Sequence, residues 1–233
     1  MNPEVRKMLE NMYDLLTEKF HDRYKAWDHF IEFLATDNCG SLIHQLDHKF
    51  EWLFEDSRLA DRLMNAYDPE KLRSDYYDHL GEMYLDKLVG PTQVQRQGLF
   101  LTPMHVAESM AAMTIGETKN KVNVLDPCVG TGRLLMAAHK QAPNARLFGV
   151  DVDLRALRIA FTNFAIHDIS GYLLHADSLR QETDISTDEG FHNWQFANRW
   201  YSCLDKLKPI KGRSPDKSST NSKEEEQLSM FRK

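Results

Sequence analysis

Apolar positions near the start of the chain recur every three or four residues. Val5, Met8, Leu9, Met12, Leu15 and Leu16 fall on one face of a helix. Trp27, Phe30, Ile31 and Leu34 repeat the pattern, and Leu42, Leu46, Phe50, Leu53 and Phe54 repeat it again behind Gly40-Ser41, where Ser41 suits an N-cap. Asp68-Pro69-Glu70 sets a capping side chain, then a proline in the first turn, then an acid on the positive end of the helix dipole. That start predicts a helix that buries Tyr77, Leu80, Tyr84 and Leu88 and stops at Gly90-Pro91. Residues 1–90 therefore read as an all-α N-terminal domain. No catalytic constellation is evident in it. His21, His29, His44, His48 and His79 read as surface or satisfied core residues. His44 and His48 are one turn apart but lack a third ligand, so no metal site is expected.

The period changes from about residue 98. Thr102-Pro103 predicts another helix start, with Val106, Met110 and Met113 on its apolar face. Lys121–Asp126 is a short β-type run, followed by a glycine turn and a helix over Arg133–Gln141. Ala145–Val150 predicts a second strand, Leu154–His167 a helix, Tyr172–His175 a third strand and Phe191–Ala197 a fourth. Strands alternating with helices imply a parallel sheet of βαβ units over 91–207. Residues 208–233 are rich in Lys, Ser and Glu, too poor in apolar surface to offset ordering entropy, and predict a disordered tail.

Composition narrows the classes. Of 233 residues, 42% are hydrophobic and 27% charged, which is ordinary for a globular chain, and no apolar run has the length of a membrane span. The first ten residues are mixed and charged, so no secretory signal is expected. Three cysteines without paired spacing exclude a disulfide scaffold and fit a cytoplasmic location. The net charge of −6 excludes a basic nucleic-acid sleeve, so contact with nucleic acid would need a local patch or a partner.

The strongest chemical signal is Val124-Leu-Asp126-Pro-Cys-Val-Gly130-Thr131-Gly132, a strand that ends in an acid and turns through glycines into a helix. In an open α/β sheet, ligands lie at the carboxyl ends of the strands. The second strand ends at Asp151, where such folds hydrogen-bond a ribose, and the third at Asp177, within reach of an adenine amino group. Three acids at three strand ends describe an adenosine pocket. A nucleotide site for another ligand is the alternative; neither the dinucleotide fingerprint nor a P-loop is present.

With those residues in place, the chain resembles the N6-adenine DNA methyltransferases, especially the modification subunits of type I restriction systems. Asp126-Pro-Cys-Val-Gly-Thr-Gly132 resembles their motif I, and Gly98-Leu-Phe-Leu-Thr-Pro103 their Gly-x-Phe-x-Thr-Pro element. Asp78-His-Leu-Gly-Glu-Met-Tyr84 resembles the helix before that element. Gly149-Val-Asp151 with Ala160 and Asn163 resembles motif II, and His175-Ala-Asp-Ser-Leu179 motif III. The resemblance runs from about Tyr77 to Leu179. It implies a Rossmann-like core that uses S-adenosylmethionine. Phe100, Thr102 and Pro103 would line the methionine and adenosine side. Asp126, Gly130, Thr131 and Gly132 would wrap the methionine, Asp151 would take the ribose hydroxyls and Asp177 the adenine N6. On the residues alone, Phe100 also suits a core position and Thr102 an N-cap.

The family's Asn-Pro-Pro-Tyr motif, which accepts the N–H bonds of a flipped adenine and stacks on the base, is absent here. Asn198-Arg-Trp-Tyr201 keeps the amide and the ring and is the expected catalytic pair; Asn193-Trp-Gln-Phe196 is an inferior second choice. Asn198 alone also suits a surface turn. The family's sheet continues beyond this point, whereas four strands are expected here, leaving an edge for the N-terminal helices or a second copy to cover. At the end of the chain, Gln227-Leu228-Ser-Met230-Phe231 resembles the peptide by which bacterial replication proteins dock on the DNA polymerase sliding clamp. The resemblance thus implies a DNA adenine-N6 methyltransferase with DNA, the clamp and a second subunit or homodimer as partners. A catalytically degenerate relative that binds cofactor or DNA and docks on the clamp is the alternative.

Overall fold

A computed structural model of the chain describes residues 2–38, 53, 55–90, 100–116 and 122–179. Helix α1 spans Pro3–Phe20, with Asn2 as its cap and proline at the first position. Helix α2 spans Arg23–Asn38 and packs against α1. Val5, Leu9, Met12, Leu16, Trp27, Phe30, Ile31 and Leu34 are all buried, as the spacing predicts, and Tyr13 meets Trp27 edge-on. The predicted stretch over 41–54 lies outside the described residues apart from Leu53. Helix α3, Ser57–Ala66, is capped by Asp56 and buries Leu59 and Leu63.

The helix predicted from Pro69 to Gly90 is broken. Helix α4 ends at Ser74, and Asp75 takes an extended backbone (φ −99°, ψ 93°). Asp78 caps a new helix, α5, His79–Tyr84, which widens into a π-helical turn over Leu85–Val89 before Gly90. At the break Asp78 takes the Gly81 N–H for a new cap, while the Asp75 carboxylate is held by the Asn2 N–H and the His79 ring; apolar spacing alone does not reveal this. Leu80, Tyr84 and Leu88 are buried as expected, but Tyr77, at the break, is only half-buried.

Helix α6, Met104–Ile115, also differs from expectation. Its inward face is Met104, Ala107 and Ala111, while Val106, Met110 and Met113 face outward. Close approach explains the reversal: Ala107 and Ala111 pack directly on Ala137 of helix α7, Arg133–Gln141. Small side chains let the two helices approach, and the bulkier methionines do not fit that seam.

Strands β1 (Asn123–Asp126), β2 (Arg146–Asp151) and β3 (Gly171–His175) form a parallel sheet in the order β1-β2-β3. Helix α8, Leu154–Ile166, links β2 to β3. Among the described residues, β1 has a strand neighbour on one side only; the expected fourth strand over 191–197 lies outside them. Helix α8 is the hub. Phe161 and Phe164 join the core against the sheet, while Ile159 and Ile166 join the core of the N-terminal helices. Helix α2 packs on α8, and Arg155 and Arg158 approach Asp28 at 3.8 and 3.6 Å. Among the described residues, no helix is long and apolar enough to cross a membrane.

Candidate active site

The site begins with the register. Asp126 pairs with Gly149, and Asp151 pairs with His175. The acids at the ends of β1 and β2, with Asp177 just past the end of β3, therefore step along one carboxyl edge. The turn after β1 folds into that edge. Gly130 sits at φ +54° with open space where a Cβ would be. Gly132 sits at φ +94°, and a Cβ there would press on Phe164 and Ala160 of α8. Both angles favour glycine, and the second also needs the close approach.

The turn is tied to the edge by hydrogen bonds. The Gly130 N–H donates to Asp151 Oδ2 at 2.7 Å, and the Asp153 N–H donates to Asp151 Oδ1 at 2.8 Å. The Cys128 N–H donates to Asp126 Oδ1 at 3.1 Å. Asp126 Oδ2 is buried and has no hydrogen-bond partner among the described residues. Burial pushes the Asp126 carboxyl above the ordinary range; the Cys128 N–H opposes that shift and the nearby Asp151 charge adds to it. A cation brought to Oδ2 would favour the ionised form. Asp177 accepts the Leu179 N–H at 3.0 Å, which orders the end of β3.

Phe100 is 73% exposed, so the core alternative for it is overturned. Thr102 makes no helix cap either. Pro103 occupies the cap position without a side-chain bond, and the Thr102 carbonyl accepts from Arg133 Nη1 at 3.2 Å. That bond brings the Phe100–Pro103 segment to the glycine turn. Asn198, Tyr201 and the peptide Gln227, Leu228, Met230 and Phe231 lie outside the described residues.

Sequence reasoning gave no role to the group beneath the turn. Asp78 is fully buried. Its Oδ1 accepts from the Gly81 N–H and from Asn163 Nδ2, both at 2.7 Å. Its Oδ2 accepts from Thr131 Oγ1 at 2.6 Å and Arg133 Nε at 2.7 Å. Asn163 also donates to the Thr131 carbonyl, and Arg133 Nη2 donates to Glu82 at 2.8 Å. Burial opposes ionisation of Glu82, but hydrogen bonds from Tyr77 and Arg133 outweigh it and hold its carboxyl below the ordinary value. The one local trace of it in the sequence is an arginine directly after a glycine turn, which by itself names no partner.

The donor set fits S-adenosylmethionine. The unpartnered Asp126 oxygen suits an ammonium, the open face at Gly130 admits a ligand close to the backbone, and the acids at 151 and 177 suit ribose and adenine donors. Known proteins agree on the fold. A structure from Listeria monocytogenes, described as a class I S-adenosylmethionine-dependent methyltransferase, superposes with a TM-score of 0.52 at 22% identity, over 76% of this chain and 53% of that one. The uncharacterized protein MG259 of Mycoplasma genitalium is 26% identical over 155 residues, 65% of this chain and 27% of its own length. Its homolog in Mycoplasma pneumoniae is 26% identical over 134 residues, 58% of this chain and 28% of its length. The chain thus spans little more than a quarter of the curated relatives it matches. The family model described as N-6 DNA Methylase matches residues 74–225, which include the helix of Asp78, the glycine turn and all three acids. With more than half of its length inside that match and a methyltransferase fold around the turn, the chain belongs to the N-6 DNA Methylase family.

Proposed function

We propose that the chain binds S-adenosylmethionine at the carboxyl edge of the sheet and methylates the N6 amino group of adenine in DNA. The observation that carries the reading is the buried Asp126 oxygen, without a hydrogen-bond partner among the described residues, beside the Gly130–Gly132 turn. Asp126 holds the ammonium of the methionine moiety, and the turn through Gly130, Thr131 and Gly132 wraps that moiety. Asp151 accepts from the ribose hydroxyls and Asp177 from the adenine N6. Phe100 stacks beside the cofactor, with Thr102 and Pro103 on the same side. The cofactor supplies a methyl group on a positively charged sulfur. Asn198 accepts an N–H of the target adenine, which raises the electron density on the amino nitrogen, while Tyr201 stacks on the flipped base.

Family membership supports the chemistry class, and the sequence supports the partners. With a net charge of −6, the chain has little intrinsic attraction to phosphates, so docking on a clamp that already encircles DNA would raise its effective concentration there. Gln227, Leu228, Met230 and Phe231 are the anchor, and residues 206–226 the tether. A second subunit or a second copy completes the unit. The domains in this reading are 1–90, 91–207 and 208–233, and the working location is the cytoplasm.

Labelled methyl transfer to adenine-containing duplexes of varied sequence tests the reading. Wild type should transfer label to N6-methyladenine, and Asn198→Ala should abolish transfer with cofactor affinity nearly intact. Full activity in Asn198→Ala would overturn its assignment. An inert wild type that still binds cofactor would favour the second reading, a non-catalytic relative, which the absent Asn-Pro-Pro motif supports. The double change Leu228→Ala/Phe231→Ala should eliminate binding to a bacterial sliding clamp in a fluorescence titration; undiminished binding would sink the anchor.

A further inference from the structure

Asp78 does more than cap a helix. A cap needs one acceptor, and Oδ1 meets that need through the Gly81 N–H. An asparagine or serine would serve as well. The other bonds reach Thr131, Arg133 and Asn163, which lie 53, 55 and 85 residues further along the chain. A carboxylate offers about four lone-pair sites, and here all four are taken. Asp78 is fully buried, so no atom of it is left to touch a ligand.

What it touches is the underside of the glycine turn. The Thr131 hydroxyl hangs from the middle of that turn, and its carbonyl is held by Asn163, itself a ligand of Asp78. Arg133, the first residue after the turn, is a buried cation that must be paired, and its Nη1 reaches the Thr102 carbonyl. One carboxylate thus gathers helix α5, the turn after β1, helix α8 and, through Arg133, the Phe100–Pro103 segment.

Gly81 shows how tight the arrangement is. A Cβ there would collide with Asp78 Oδ2 and lie 2.8 Å from Thr131 Oγ1. Neither atom can move without giving up a bond to the other. The glycine is helical with an ordinary φ, so backbone conformation does not require it; the space does.

We propose that Asp78 is a positioning residue for cofactor binding. It fixes the Gly130–Gly132 turn and the Thr102 segment in one register, and Gly81 is kept small to admit it. This rests on the reading of the turn as the S-adenosylmethionine site. The test uses the full chain as wild type, Asp78→Asn, Gly81→Ala and, as a control, Leu63→Ala in the core of the N-terminal helices, a residue with no bond to the Asp78 cluster. Two quantities are read: amide hydrogen exchange at residues 130–133 without cofactor, and the dissociation constant for S-adenosylmethionine. Asp78→Asn and Gly81→Ala should each speed exchange at 130–133 about tenfold and weaken the cofactor about tenfold, the size of one lost charge-assisted bond. Leu63→Ala should lower the melting temperature without selective change at the turn.

Gly81→Ala is the sharper variant. It removes no charge, and in a helix that served only as scaffold it would be stabilising. If Asp78→Asn does not fold, Gly81→Ala decides alone. Wild-type exchange at 130–133 in a folded Gly81→Ala chain, or equal exchange in Leu63→Ala, would overturn the proposal. A wild type that binds no S-adenosylmethionine would strike the proposed function, and the exchange data would still decide whether Asp78 positions the turn.

Discussion

Two buried aspartates flank the glycine turn, and the fold treats them in opposite ways. Asp78, beneath the turn, accepts four hydrogen bonds and lies against a buried arginine. Asp126, at the end of β1, is nearly as buried, accepts one N–H on Oδ1 and, among the described residues, has no partner on Oδ2. The first carboxylate is finished by the protein itself. The second is left with an unmet demand that a ligand can satisfy. Burial alone does not separate scaffold from site; the number of satisfied lone pairs does.

The largest effect expected from this contrast is on stability. Asp78→Ala leaves the Arg133 cation with Glu82 as its one carboxylate among the described residues, the Asn163 amide with the Thr131 carbonyl alone, and the Thr131 hydroxyl without its acceptor. Removing one partner of a buried ion pair costs about 3–5 kcal/mol, which denaturant titration would read directly. A loss below about 1 kcal/mol would erase the contrast, since the saturated aspartate would then matter no more than a surface residue.

Asp126→Asn should do the reverse. Its folded pKa is raised, so the group stabilises the fold below its ordinary value and that contribution is lost as pH rises through the raised value. Wherever the carboxylate is ionised it is therefore a liability, and the amide should leave the chain as stable as wild type or more so. The same change should weaken S-adenosylmethionine by about 1.5–3 kcal/mol, the worth of a hydrogen bond to a charged group. In wild type, cofactor affinity should fall as pH drops through the raised pKa, and Asp126→Asn should flatten that dependence. Calorimetry over a pH series that starts at the ordinary carboxylate range and runs upward checks both.

Much of the site was legible because its parts are local. A strand, an acid and a glycine turn are contiguous in sequence, and Asp126, Gly130, Gly132 and Asp151 fall where that pattern places them. The Asp78 cluster was not legible, because its members are separated by 53 to 85 residues and only the tertiary fold joins them. The break at Asp75–Asp78 was missed for a related reason: apolar spacing runs across it, while the Asp78 side chain starts a new helix by accepting the Gly81 N–H. Helix α6 was read with the wrong face inward. Its methionines are more hydrophobic than its alanines, yet contact with α7 is set by how closely two backbones approach, which favours Ala107 and Ala111.

The reversed face of α6 gives the smallest expected effect and the limit of the comparison. Met113 is 78% exposed, and with Val106 and Met110 it forms an outward apolar face. An exposed thioether and an unpartnered buried oxygen both look unfinished, but their energetics differ. Water wets an exposed methionine in both the folded and the unfolded chain, so little free energy depends on it. A buried carboxylate oxygen has lost its water on folding and has gained no partner, so its demand persists until a ligand arrives. Met113→Ser should therefore change stability by no more than about 0.5 kcal/mol, as surface substitutions do, and leave S-adenosylmethionine affinity where it was. If Met113→Ser weakens the cofactor as much as Asp126→Asn does, exposure and lone-pair saturation are not independent signals here, and the α6 face belongs to the site.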